Sequence, residues 1–318
     1  MKRSIITGIT GQDGCYLAQQ LINKGYEVIG LVRDLNQIND SGLKHIGILD
    51  KIRLEQVDLL SESAIVDSLT KFKPTFFYNL AAQSSVSNSF IEPTQTLLFN
   101  ISSVINILEA IRKTDINIKF YQASSSEMFG KVVHLPVSEQ TVLHPLSPYA
   151  ISKASAHWIT VNYREAYGLF TCCGILFNHD SYLRPMNFFT KKVIRTAIEI
   201  SKGRKEFLEV GNIDVKRDFG YAPKYVEAMI LMMEKEIADD YLICSGESIY
   251  LRDIIEYVFS KLNISTQKIV VNKSLYRPAE IMDMYGANYK AKAVLGWKYD
   301  MTYFDVLDIL IQEELHNW

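Results

Sequence analysis

Short runs of apolar, largely β-branched residues alternate with longer amphipathic stretches through the first half of the chain. This is the pattern of a parallel sheet covered by helices on both faces. SIITGI at 4–9 reads as a strand, CYLAQQLINKG at 15–25 as a helix closed by Gly, and EVIGLV at 27–32 as the next strand. The alternation continues through IRLEQVDL (52–59), a helix over AIVDSLTKF (64–72), TFFYNLAA (75–82), SVINILEAIRK (103–113), IKFYQASS (118–125) and FTCCGILF (170–177). No internal repeat interrupts it. From about Asn178 the rhythm loosens into helical pieces over 190–203, 223–236 and 251–262, mixed with short strands and loops. The expectation is an α/β fold. A doubly wound parallel sheet covers 1–177, some later segments return to it, and a smaller interleaved lobe comes mainly from 178–318. A ligand belongs in the cleft between them, at the carboxyl ends of the strands.

Composition narrows the chemistry by exclusion. The chain has 318 residues, nearly half of them apolar, and a formal net charge of -2. It lacks the basic field that a phosphate backbone demands, so nucleic acid is not an expected partner. No apolar run is long enough to span a bilayer. The start MKRSIITGITGQDG breaks into Gly and Asp too soon for a secretory signal. Cys15, Cys172, Cys173 and Cys244 show no metal-ligand spacing and read as buried apolar residues in a reducing compartment. The expected location is the cytoplasm, with no metal and no membrane.

Candidate chemistry begins at the first strand–helix turn. Gly8, Gly11 and Gly14 let the backbone approach a pyrophosphate seated on the helix N-terminus, with Thr10, Gln12 and Asp13 between them. The plain alternative is a Gly-rich turn without a ligand. At the end of the second strand, Arg33 suits the 2′-phosphate of NADP, while Asp34 beside it suits NAD. NADP is favoured. Asp58 and Leu59 fit an adenine contact, and Leu80, Ala81, Ala82 and Ser84 fit a strand end passing under the cofactor.

Tyr149 and Lys153 form a Y-x-x-x-K pair whose spacing places both on one helix face. A Lys ammonium beside a phenol favours the phenolate, which can take a proton from a sugar hydroxyl as hydride leaves. Ser124, Ser125 and Ser126 end a predicted strand, where a hydroxyl can bond the same oxygen as Tyr149. Glu127 is more informative. A simple dehydrogenase has no use for a carboxylate there, whereas removal of a proton α to a new ketone requires one. A capping or surface acid is the bland alternative.

These motifs, with YNLAAQSSVSNSF, HWITVNYREAYGL, GNIDVKRDFGYAPKYVEAMILM and KAVLGWK, make the chain resemble the GDP-mannose 4,6-dehydratases from near its first residue to near its last. The resemblance implies a Rossmann-type domain, a small nucleotide-sugar lobe, a GDP-sugar substrate and a homo-oligomer, dimer or tetramer. It implies that Tyr149, aided by Lys153 and Ser125, takes the C4 hydroxyl proton as NADP accepts the C4 hydride. Glu127 would then remove the C5 proton, water would leave C6, and hydride would return to C6. The resemblance also gives Asn178, Lys192, Arg217, Arg277 and Glu280 to the nucleotide-sugar, joined by Ser85, Ser126 and Gly211. It gives His179, together with Tyr149 and Lys153, to the cofactor.

The chain departs from the family pattern at three places. The loop 182–187 reads Tyr-Leu-Arg-Pro-Met-Asn, where the family usually has Pro, basic residues and Gly. Met282 stands at a usual acid, with Asp283 following, and Arg33-Asp34 replaces a double Arg. A GDP-manno-heptose 4,6-dehydratase is therefore the nearest rival. A GDP-sugar C4 reductase or oxidase, needing only Tyr149 and Lys153, and a non-catalytic NAD(P) sensor are further alternatives.

Overall fold

The computed structural model of the chain describes residues 2–317. Its first part runs β1 (Arg3–Thr7), α1 (Gln12–Asn23), β2 (Glu27–Val32), α2 (Ser41–His45), β3 (Arg53–Gln56), α3 (Glu62–Phe72) and β4 (Phe76–Asn79). The short α4 (Val86–Ile91), the long α5 (Pro93–Thr114), β5 (Lys119–Ser125), α6 (Pro148–Tyr167) and β6 (Thr171–Leu176) follow. Next come β7 (Asn178–Asp180), α7 (Phe189–Ser201), β8 (Leu208–Val210), β9 (Lys216–Arg217), β10 (Phe219–Tyr221) and α8 (Ala222–Met233). The chain closes with β11 (Asp240–Ile243), β12 (Ile249–Tyr250), α9 (Leu251–Lys261), β13 (Ile269–Val271) and α10 (Tyr303–His316).

Seven strands form one parallel sheet in the order β11-β6-β5-β4-β1-β2-β3. Its strands are apolar on both faces because both are covered. Ile5, Phe77 and Phe120 point to the side of α3, α5 and α6, whereas their neighbours Ile6, Tyr78 and Tyr121 point to the side of α1 and α8. A third cluster gathers Val193, Ile198, Ile254, Val258, Val306 and Leu310 from α7, α9 and α10 into a separate lobe. The last sheet strand, β11, comes from beyond residue 178 and pairs with β6.

Most elements fall where the apolar pattern puts them. The exception is α5, twice as long as the apolar run at 103–113. Its first turns bury Thr96 and Asn100 rather than apolar residues. Asn100 satisfies itself by donating to Ser152 Oγ at 2.9 Å and accepting from the Gln83 amide at 2.9 Å, so periodicity is hidden by buried polar positions. Among the described residues no helix is long and apolar enough to cross a membrane.

Candidate active site

The turn after β1 is shaped by close backbone approach. Gly8 has a φ of +68°, and a Cβ there would lie 2.9 Å from the backbone of Leu80 and Ala81. At Gly14 a Cβ would meet the Gly8 carbonyl oxygen at 2.3 Å, so only Gly lets α1 start against the loop. Thr7 Oγ1 accepts from the Leu80 and Ala81 amides, 3.1 Å each, and donates to Asn79 Oδ1 at 2.7 Å. That hydroxyl joins the Gly loop to the segment after β4. Gly11 caps α1 without a side-chain bond. The first-turn amides and the positive end of the helix thus remain available to an anion.

Two members of this loop have side chains tied to β7 and the residue after it. Gln12 is buried, donating to the His179 carbonyl at 3.0 Å and accepting from Ser181 Oγ at 2.8 Å. Its side chain ties α1 to β7, which leaves only its backbone for a phosphate. Asp13 pairs with His179 Nε2 at 2.9 Å. Burial would raise that carboxyl, but His179, with Arg184 and Gln12, outweighs it and holds Asp13 below the usual range. His179 also stacks on Tyr225, 4.7 Å between centroids.

The opposite wall comes from β5 and α6. Ser147 caps α6 by accepting from the Ala150 amide at 3.1 Å, which fixes Tyr149 in the first turn and Lys153 one turn on. Lys153 Nζ donates to the Ala123 carbonyl at 2.8 Å, and burial lowers the ammonium to about 8. Burial pushes the Tyr149 phenol up to about 12 against a hydrogen bond to Ser125, and the Glu127 charge adds to the rise. Lys153 Nζ lies 5.9 Å from the centre of the Tyr149 ring, and the Arg184 charge also favours the phenolate. Ser125 Oγ accepts from the Glu127 amide at 3.3 Å, so the 3-10 turn 126–128 holds the carboxylate beside the phenol.

A cavity of about 520 Å³ joins the walls, a volume suited to a small ligand. Ser125, Ser126, Glu127, Tyr149 and Lys153 line one side of it, with Asp13, His179, Leu80, Ala82, Ser84 and Ser85 beside them. Ser85 itself caps α4, accepting from the Asn88 amide at 3.2 Å. Asn178, Lys192, Gly211, Arg217, Arg277 and Glu280 line the other side. Arg217 is buried and committed to the Ile281 carbonyl at 2.6 Å and to Glu280 at 3.1 Å, rather than to its neighbour Asp218. Arg277 Nη1 lies 3.7 Å from Glu127.

Other expected cofactor residues lie outside this lining. Gly8, Thr10, Gly11, Gln12, Gly14 and Ala81 belong to the adjoining loops. Arg33 is exposed just past β2, while Asp34 is occupied by the Asn36 amide at 2.8 Å. Asp58 is exposed past β3 and accepts from the Leu60 amide at 2.9 Å, and Leu59 is buried.

Of the loop 182–187 that the sequence singles out, Arg184 and Asn187 line the cavity, and sequence reasoning missed Phe188, which lines it too. Arg184 lies over the Phe188 ring at 3.7 Å, with Nε 3.3 Å from Asp180, whose other oxygen accepts from Tyr303 at 2.6 Å. The loop 182–187 thus splits. Tyr182 stacks on His45 at 4.4 Å and Leu183 packs into the core, and both are outside the lining.

A doubly wound sheet with a glycine turn after β1, and a Tyr–Lys helix face at the ends of its strands, defines a Rossmann-type short-chain dehydrogenase class. Comparison with known proteins agrees on the fold. A dTDP-glucose 4,6-dehydratase from Bacillus anthracis solved with NAD superposes with a TM-score of 0.87 at 19% identity, covering 100% of this chain and 97% of that one. The RMD protein of Pseudomonas aeruginosa, solved with NADPH, gives 0.84 at 24% identity over 100% of both chains. The sequence profile described as GDP-mannose 4,6 dehydratase matches residues 5–309. The GDP-mannose 4,6 dehydratase 2 of Arabidopsis thaliana is 42% identical over 99% of this chain and 87% of that protein. The chain belongs to the GDP-mannose 4,6-dehydratase family.

Proposed function

We propose that the chain is a hydro-lyase converting GDP-mannose to GDP-4-keto-6-deoxymannose. The observation that carries this is a carboxylate, Glu127, set on the same turn as Ser125 and close enough to Tyr149 to raise its phenol. C4 oxidation alone needs the phenol; water loss between C5 and C6 needs the carboxylate as well.

Tyr149, hydrogen-bonded to Ser125 and with Arg184 near it, takes the C4 hydroxyl proton. A bound nicotinamide cofactor supplies the hydride acceptor and donor that C4 oxidation and C6 reduction need. Glu127 removes the C5 proton, now α to a ketone, and passes it to the C6 hydroxyl, which leaves as water. The proton lost at O4 balances the one gained at C5, so the product differs from substrate by one water. Lys153 holds the wall together through Ala123, favours the phenolate of the nearby Tyr149, and would help hold the cofactor.

The residues present fit a dinucleotide. Gly8 and Gly14 permit the tight approach, and the uncapped α1 start receives the pyrophosphate. Solved proteins of this fold carry NAD in one case and NADPH in another. Exposed Arg33 beside an occupied Asp34 supports NADP here. We assign Asp58 and Leu59 to the adenine side, residues 1–177 to cofactor binding and 178–318 mainly to the GDP-sugar. Leu98 and Ile105 on α5, with Ile151 and Trp158 on α6, form exposed apolar positions that support a homo-oligomer. Four free, buried cysteines suit the cytoplasm.

The test is incubation of the chain and NADP with GDP-mannose, read by mass spectrometry. Loss of one water with a new ketone is expected. A product that keeps its C6 oxygen would overturn the assignment.

A further inference from the structure

The catalytic wall and the nucleotide side of the cavity meet at one contact. Arg277 stands on the strap between β13 and α10, next to Leu275, and its guanidinium reaches back to Glu127 at 3.7 Å. The strap is fastened on either side of this residue. Asn272 N donates to the Val210 carbonyl at 2.8 Å, Lys216 N to the Met282 carbonyl at 2.8 Å, and Asp218 N to the Met284 carbonyl at 3.0 Å. The section around Arg277 to Glu280 is held by side chains, Arg277 to Glu127 and Glu280 to Arg217. The four groups form one electrostatic cluster, because the charges of Glu127, Arg277 and Glu280 all act on Arg217.

We propose that Arg277 is a positioning residue for Glu127, and that a nucleotide diphosphate takes Arg277 away from it. The inference rests on the assignment of Arg277 to the nucleotide-sugar and goes beyond it by naming the diphosphate as the group that Arg277 binds. A carboxylate paired with a guanidinium is held toward that partner and away from a substrate proton. A diphosphate offers the same guanidinium more charge and a better bidentate match. Arg277 is about one-third exposed and Glu127 about one-sixth. Their pairing is therefore weak enough for an incoming anion to displace. Occupation of the diphosphate site then frees Glu127 for the C5 proton, which links water loss to possession of the nucleotide.

The experiment is a double-mutant cycle on GDP binding, by calorimetry with the full chain, its cofactor and GDP alone. If Glu127 competes for Arg277, Glu127→Gln should bind GDP about threefold to tenfold more tightly than the native chain, as expected for loss of one partly exposed ion pair. In the Arg277→Gln background, which itself binds GDP more weakly, the same Glu127→Gln change should have no effect. Tightening that persists without Arg277 would mean plain repulsion between carboxylate and diphosphate and would overturn the proposal. So would unchanged or weaker GDP binding by Glu127→Gln, the sign of a guanidinium that bridges both groups. Absence of GDP binding by all four proteins would instead remove the nucleotide reading itself, and the proposal with it. Circular dichroism of each variant establishes that it is folded.

Discussion

The two sides of the cavity are built by different means. The wall with Ser125, Tyr149 and Lys153 is held by bonds that end on backbone groups: the end of β5 in register with β6, the capped start of α6, and a lysine fixed on a strand carbonyl. The facing side, with Arg217, Arg277 and Glu280, adds side-chain ion pairs to the backbone bonds of a strap and two short strands. Backbone bonds fix a position within tenths of an ångström and resist substitution. Ion pairs exchange partners when a stronger anion arrives. The first construction suits chemistry that needs a preset geometry, and the second suits a ligand that must enter and leave.

The strongest way to break this contrast is within the wall. Tyr149→Phe should lower both cofactor reduction and water loss by about 10²- to 10⁴-fold, the usual worth of a positioned acid–base group. GDP affinity should stay within about twofold. Glu127→Gln should lose water elimination to a similar degree yet keep measurable cofactor reduction. Stopped-flow absorbance of the reduced nicotinamide and mass analysis of the product separate the steps. Equal loss of both in Glu127→Gln would make that residue structural.

A smaller effect is expected across the cavity. Arg217→Ala would leave the Ile281 carbonyl and the Glu280 carboxylate without their donor. The cost is about 2 kcal/mol of folding stability. Because the phenol and carboxylate remain in place, KM for GDP-mannose should rise more than kcat falls. A variant with native KM and reduced kcat would place Arg217 in the chemical step instead, and the division between the two sides would fail.

The same division explains what the sequence makes legible. The Gly loop, Tyr149 and Lys153 are local patterns: a turn, a helix face, a strand end. Chemistry and structure are written together in a few adjacent residues. Gln12 and Asp13 sit in that local pattern yet turn toward Ser181 and His179, partners supplied from β7 and the loop after it. Nothing near them announces this. Arg184 is hidden in a loop whose first two residues belong to the packing against α2 and the core. The Arg277–Glu127 contact joins segments far apart in the chain, and neither segment has a periodicity that encodes the other. Charge is visible in sequence; its partner is not.

The finest comparison concerns two buried ionisable groups, one on each side, whose burial acts on stability with opposite sign. Asp218, behind the strap, accepts from the Ser245 amide at 2.8 Å, Ser245 Oγ at 2.7 Å and the Gly246 amide at 3.1 Å. Burial nevertheless outweighs these bonds and pushes its carboxyl from 3.8 up to about 6. Between those values the folded chain binds more protons than the unfolded one, so Asp218 makes stability fall as pH rises. Lys153, in the wall, is lowered by burial from 10.5 to about 8. There the unfolded chain binds more protons, so its contribution makes stability rise with pH between about 8 and 10.5. Other groups titrate in the same windows, and Asp13, lowered from 3.8, acts with the opposite sign to Asp218 below that value. The measurement is therefore a difference. Urea unfolding of the native chain and of Asp218→Asn should converge or diverge across the acid window, with the native chain losing relative stability toward pH 6. Lys153→Met should remove the native chain's gain in the alkaline window. Parallel curves in either pair would show that the group keeps its ordinary proton affinity, and that burial on that side is less complete than the packing indicates.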